Sequence, residues 1–297
     1  MRKLVGRAIR YKNKKKIEPY EVKIKRIAAV YFSPTGNTAG IVSQIANTLC
    51  AELGTQLEIM DYTLPQNREA GLNFDENDLV VWGTPVYAGR VPNKLLYYLR
   101  CARGNGALAV PVAVFGNRDW GSCLQELVNE LEKDGFHTIA GGAFVSAHVF
   151  SDKIATCRPD AADKEEIQAF AKNLADKIRS RDFVPRTAEV GVTKAVGAYY
   201  TPLGIDGKPA LFLKATPKTD AKKCVKCGLC AAVCPMGSIS KEQPPKVTGI
   251  CIKCQACVLA CPNKAKYMDD PAFLSHKAML EQNYMKRAAN KIFYLIA

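Results

Sequence analysis

Residues 30–38 read VYFSPTGNT, an apolar, β-forming run that breaks at Ser33 into small, hydroxylated and glycine-containing residues. The stretch after it, 38–53, carries Ile41, Ile45 and Leu49 at helical spacing. A strand, a tight turn and a helix are thus encoded together. In that turn Ser33, Thr35 and Thr38 offer hydroxyls, Gly36 and Asn37 let the backbone curl, and the helix directs its positive end at the same spot. The set suits a phosphate. It also suits a structural helix cap, which uses the same residue types. The lysine of a G-x-x-x-x-G-K-S/T nucleotide loop is missing, and so is the glycine spacing of a G-x-G-x-x-G turn.

Working outward, the alternation continues. Strand-like runs cover 26–32, 56–60, 78–83, 108–116 and 138–147; helical patterns cover 91–100, 121–134 and 162–180. Five strands alternating with helices predict a parallel sheet covered on both faces. Two more loops follow strand ends, TPVYAGRVP at 84–92 and NRDWGS at 117–122. Residues 181–218, rich in Pro, Gly and Lys, read as a linker. Residues 219–270 form a cysteine-rich unit, and 271–297 read as a helical tail that packs back onto one of the domains.

The 297 residues carry a formal net charge of +14, and its placement matters more than its size. Residues 1–26 hold eleven Lys/Arg and two Asp/Glu, which leaves +5 for the rest. The basic N-terminal extension, 1–21, precedes the first domain, 22–180. It reads either as a solvated tail or as a docking arm for an acidic redox partner or an anionic membrane surface. Nucleic acid fits less well, since no reading module accompanies the charge. No apolar run reaches the roughly 18 residues of a membrane span, and the basic start lacks the apolar core of a signal peptide. A cytoplasmic protein is expected.

Of twelve cysteines, Cys50, Cys101, Cys123 and Cys157 are scattered, and eight lie between 224 and 261. The eight form a repeat, CVKCGLCAAVCP at 224–235 against CIKCQACVLACP at 251–262. Each half reads C-x2-C-x2-C-x3-C-P, the spacing of a bacterial-type iron–sulfur ferredoxin. Such runs lend their fourth cysteine to the other cluster. One 4Fe-4S cluster is then expected on Cys224, Cys227, Cys230 and Cys261, and a second on Cys251, Cys254, Cys257 and Cys234. A pair of zinc sites is the rival reading, but it leaves the third cysteine and the trailing Cys-Pro of each run without a role. Cys50 and Cys101 read as core thiols; Cys123 and Cys157, near the loops, are candidates for redox activity.

The run SPTGNT, opening the first helix of an alternating α/β domain, resembles the FMN phosphate loop of flavodoxins. The resemblance implies a doubly wound, five-stranded flavodoxin-like sheet of order 2-1-3-4-5, with FMN at its switch point. It also implies that the second and third loops flank the flavin ring. Tyr87 and Trp120 are then the aromatic neighbours, beside Pro85, Val86, Arg118 and Asp119. The backbone around Ala88, Gly89 and Asn117 reaches the polar edge. Arg90 is a candidate to steady a reduced flavin, or else a surface arginine. Taken together, the halves resemble the flavodoxin–ferredoxin fusion family, over about 22–270. That family implies FMN, two 4Fe-4S clusters and electron transfer, with no single substrate.

Two functions follow from the resemblance. An electron carrier would link low-potential ferredoxin-type donors to a downstream acceptor. An FMN-dependent reductase would draw electrons through its own clusters and would need a proton donor, for which His148, His137 and Tyr87 are the candidates. A redox-sensing module has no support beyond charge. Redox partner proteins and a homodimer are the expected associations.

Overall fold

The computed structural model describes residues 23–69, 71–180, 195–242 and 245–294. The basic extension 1–21 and part of the linker, 181–194, lie outside the described residues. The N-terminal half runs β1 (Arg26–Tyr31), α1 (Asn37–Leu53), β2 (Gln56–Asp61), β3 (Asp78–Pro85), α2 (Leu96–Leu99), β4 (Leu108–Phe115), α3 (Cys123–Lys133), β5 (His137–Thr138), β6 (Ala140–Val145) and α4 (Ala161–Arg179). The cysteine-rich unit holds β7 (Lys218–Thr219), α5 (Leu229–Ala232), α6 (Ala256–Leu259) and β8 (Lys266–Tyr267). The chain closes with α7 (Pro271–Asn283) and β9 (Lys291–Tyr294).

The main sheet has the order β2-β1-β3-β4-β6-β9, with β5 also on β4. Leu108 pairs with His137, whereas Val112 pairs with Gly142, so the register slips by one residue between them. β5 and β6 are therefore one bulged fifth strand. All pairings from β1 to β6 are parallel, and the expected 2-1-3-4-5 flavodoxin-like order holds. Successive residues serve opposite faces. Ile27, Ala29 and Tyr31 enter the core under α1 and α4, while Ala28, Val30 and Phe32 enter the one under α3. Burial on both faces explains why these strands are apolar throughout rather than alternating.

Two expectations change. The helix expected over 91–100 shrinks to a 3₁₀ turn, Asn93–Leu95, followed by the single turn of α2. Pro92 sits just before it and Arg100 already ends it. The tail 271–297 is not helical throughout, because β9 pairs antiparallel with β6 from Ala140↔Tyr294 to Ala143↔Lys291. An uncovered parallel edge leaves a row of backbone groups unpaired, and β9 satisfies them.

β9 is held in place by a polar network. Asn290 Oδ1 accepts from Val145 N at 2.8 Å, and its Nδ2 donates to Asp163 at 3.2 Å and Glu166 at 2.7 Å. Asp163 is buried against Arg158, whose Nε donates to it at 2.7 Å, and also takes Arg287 at 3.1 Å. Burial opposes ionisation of Asp163, but Arg158, the Asp160 N–H and Arg287 outweigh it and hold the carboxyl below its ordinary range. Its contribution is present above about pH 4, where the unfolded carboxylate is ionised, and fades as pH falls through the lower folded value. Asp163→Ala leaves Arg158 buried and unpaired and is expected to cost about 3–5 kcal/mol at pH 7. Urea midpoints measured from pH 7 downward should show the wild-type advantage shrinking below pH 4.

Candidate functional site

The turn after β1 lies at the carboxyl end of the sheet. Ser33 N donates to Thr63 Oγ1 at 2.8 Å, so the loop after β2 supports it. Ser33 Oγ accepts from Ala39 N at 2.9 Å, and Gly36 takes a left-handed φ of 83° at the entrance of α1. Asn37 Nδ2 reaches Ala147 O at 3.2 Å and ties the turn to the loop after β6. Thr38 is buried and Thr35 half-buried. Ser33 thus serves as a structural cap within a turn that still gathers helix N–H groups and threonine hydroxyls. The donor set fits a phosphate monoester.

The other two loops meet beside it. Tyr87 and Arg90 exchange backbone hydrogen bonds at 2.9 and 3.0 Å around Ala88 and Gly89, both at positive φ. Ser122 N donates to Gly89 O at 2.8 Å, and a Cβ on Gly121 would lie 2.7 Å from that oxygen. Trp120 packs at 5.4 Å on Phe115, and Asp119 accepts from Gly121 N at 3.0 Å. Pro85 ends β3, and Val86 N donates to Val114 O at 2.8 Å. The linker crosses both loops: Tyr200 N donates to Ala88 O at 2.8 Å, and Arg118 stacks 3.9 Å from the Tyr200 ring.

Several candidates have other work. Arg90 is bound by Glu126 at 2.5 and 2.8 Å and by Gly197 O at 2.6 Å, with Tyr199 over it. Its charge is matched within the protein, and it is not a free surface arginine. Asn117 is buried and uses its side chain on Tyr284 O, Lys286 O and Ala288 N at 2.7–3.0 Å, which leaves its backbone toward the loop. His137 pairs with the first residue of β4, at the opposite end of the sheet from the turn. His148 is pushed down to about 4 by burial and then by His276 and Arg118, so it is neutral at pH 7. Burial pushes the Cys123 thiol well up, with nearby Glu126 adding to the effect, whereas Cys157 is exposed.

The cysteine repeat is repeated in backbone as well as in sequence. Left-handed residues recur 27 positions apart at Lys226 and Lys253, Gly228 and Gln255, and Gly237 and Lys264. α5 and α6 follow the same offset, as do the bonds from Ser238 N to Cys234 Sγ at 3.3 Å and from Ala265 N to Cys261 Sγ at 3.1 Å. Cys224, Cys227, Cys230 and Cys261 line one cavity. Cys234, Cys251, Cys254 and Cys257 line another. Each cavity is thus lined by three cysteines of one run and the fourth of the other. Among the described residues no three His, Cys, Asp or Glu side chains close around a single-ion position. Four thiols lining one cavity, with an N–H group aimed at a sulfur in each, fit a cubane. Burial pushes the Cys254 and Cys257 thiols up to about 12, so their thiolate form calls for the charge of a bound metal.

The second cysteine set lies against the flavodoxin-like half. Burial pushes the Tyr87 phenol far up, and the neighbouring Cys254 and Cys251 add to it. Arg68 donates to Pro235 O at 2.8 Å, and Ile252 joins the core that contains Val86 and Trp120. Thr63, Arg68, Tyr200 and Ile252 were not singled out from sequence. The adjacent Tyr199–Tyr200 pair in a polar linker was the one usable signal; the others have ordinary loop surroundings.

Residues 216–262 match the family model of the 4Fe-4S dicluster domain. No curated protein matches the chain. Among solved structures it is similar to a flavodoxin from the domain Archaea, at 14% identity over 53% of this chain and 100% of that one, with a TM-score of 0.38. It is similar to oxidised flavodoxin 1 of Bacillus cereus at 15% identity, over 51% and 98% of the two chains, with a TM-score of 0.39. A Fusobacterium nucleatum flavodoxin bound to flavin mononucleotide gives 15%, 52%, 99% and 0.36. The strand order of the sheet, and not these superpositions, carries the flavodoxin-like fold. Because the two loops touch backbone to backbone at Gly89 and Gly121, Gly121→Ala is expected to push them apart. A fluorescence titration with FMN should show at least about a tenfold loss of affinity, near 1.4 kcal/mol.

Proposed function

We propose that this chain, a flavodoxin-like sheet joined to a 4Fe-4S dicluster segment, is an electron-transfer protein. It holds FMN and two 4Fe-4S clusters and links low-potential ferredoxin-type donors to a downstream acceptor. One observation carries the reading: Ile252, between Cys251 and Cys254, packs on the same core as Val86 and Trp120 of the two loops, and Arg68 donates to Pro235 O at 2.8 Å, so both kinds of site adjoin within one chain. When bound, FMN exchanges one or two electrons and each cluster exchanges one. The protein's part is to bind, space and bury them. Thr35, Thr38 and the first N–H groups of α1 would hold the phosphate, in a turn braced by Ser33, Gly36 and Asn37. The 85–90 and 117–122 loops would hold the ring, Tyr87 among their residues. The crossed cysteine sets supply thiolates, and N–H groups of Ser238 and Ala265 offset charge on Cys234 and Cys261.

The reductase alternative requires a proton donor above the ring. His137 is at the far end of the sheet, whereas His148, neutral with Nδ1 accepting from Phe150 N at 3.1 Å, carries its proton on Nε2, and burial keeps the Tyr87 phenol protonated. The carrier reading needs none of the three. Its partners are acidic redox proteins, favoured by the basic residues of 1–26 and by exposed Lys222, Lys223, Lys226 and Lys264 near the first cavity. Among the described residues no helix is long and apolar enough to cross a membrane. The free thiols fit a reducing compartment such as the cytoplasm.

Anaerobic reconstitution with FMN, iron and sulfide tests the reading. One flavin and iron for two clusters per chain are expected, and Cys254→Ser should lose about half the iron while keeping the flavin. Iron for a single cluster, or no bound flavin, would overturn it.

A further inference from the structure

The cysteine repeat contains its own control. Counting 27 residues on from Cys234, Ser238 and Ile239 gives Cys261, Ala265 and Lys266. The two halves are alike in backbone here, yet one places an isoleucine and the other a lysine. Ile239 is 8% exposed and lines the second cavity, whereas Lys266 is 3% exposed and lines the first. The Lys266 ammonium donates to Pro245 O at 2.9 Å, and that carbonyl also accepts from Thr219 Oγ1 at 2.7 Å. Pro245 and Thr219 are themselves part of the first cavity's wall. Among the described residues no carboxylate pairs with Lys266.

A buried ammonium without a carboxylate is unfavourable unless an anion stands beside it. The thiols that share the first cavity's wall with it are Cys224, Cys227, Cys230 and Cys261, and its charge also acts on Cys257 of the second set. A thiolate-bound cluster carries net negative charge and gains one more on reduction. A fixed cation at its wall favours the reduced form over the oxidised one.

Resting on the two-cluster reading above, we propose that Lys266 sets the order of the two potentials. It raises the reduction potential of the cluster held by Cys224, Cys227, Cys230 and Cys261 above that of the cluster held by Cys234, Cys251, Cys254 and Cys257. The first electron that the chain takes up then resides at the outer site, where Cys227 is exposed, and not at the site beside Tyr87. Lys266 binds no cluster atom as a ligand; it is a positioning residue whose charge acts across the cavity.

The test is a potentiometric titration of the fully loaded protein, following each cluster by electron paramagnetic resonance. Two separate midpoints are expected in the wild type. Lys266→Met should lower the higher one more than the other and narrow the gap, and Lys266→Arg should preserve it. Equal wild-type midpoints, or midpoints that Lys266→Met leaves in place or moves equally, would overturn the proposal. If Lys266→Met sheds iron, Lys266→Gln replaces it, since an amide can still donate to Pro245. Loss of iron from both the Gln and Arg variants would make Lys266 a structural residue and end the idea. A wild-type chain with iron for one cluster would sink the two-cluster reading too; two clusters with insensitive midpoints would sink this inference alone.

Discussion

Arg68 donates to the carbonyl of Pro235, one residue past Cys234, while Ile252, one residue past Cys251, enters the core beneath the sheet's terminal loops. The rest of the molecule is organised around this contact. Arg68 is not free to choose its position, because its Nε is bound at 2.8 Å to the carbonyl of Tyr62. Tyr62 in turn accepts from the indole of Trp82 at 3.0 Å in the middle of β3. A chain of hydrogen bonds, buried at Trp82 and part-buried at Arg68, therefore runs from the sheet interior to the second cysteine set. Bonds to a charged guanidinium contribute more than neutral ones, and here they tie the cysteine unit to the sheet. The two halves are tied together as a result.

The C-terminal segment adds a second closure. Asn117 holds three backbone groups between Tyr284 and Ala288, and Asn290 meets Val145 at the sheet edge. With β9 paired to β6, the segment after the cysteine unit returns to the first domain. The linker does the same from the other direction, laying Tyr199 and Tyr200 over Arg90 and Arg118. The loops expected to flank a flavin are thus braced from two sides. Their backbones, more than their charged side chains, are what remains to meet a ligand.

The cysteine unit shows how a repeat can be symmetric in structure and asymmetric in chemistry. Three pairs of left-handed residues and one pair of N–H to sulfur bonds repeat at the same offset. Left-handed backbone at Gln255 costs roughly 1 kcal/mol that Gly228 avoids. The conformation persists at both, so the thiols' placement, and not local preference, dictates it. Ile239 and Lys266 break the symmetry where an apolar contact and a charge differ most.

The sequence by itself determined the alternation of strands and helices, the hydroxyl- and glycine-bearing turn after the first strand and the repeated C-x2-C-x2-C-x3-C-P run, whereas the sheet order was legible only through the resemblance to flavodoxins. Hydrophobic period, turn chemistry and cysteine spacing act over a few residues and need no distant partner. It did not determine that Arg90 belongs to Glu126, that Asn117 holds residues 284–288, or that 291–294 forms a strand. Those depend on groups far apart in the chain, whose meeting only packing decides. Nor did it bring the second cysteine set to Tyr87. A linker's composition sets its reach, whereas the contacts of Arg68 and Ile252 set where the unit comes to rest.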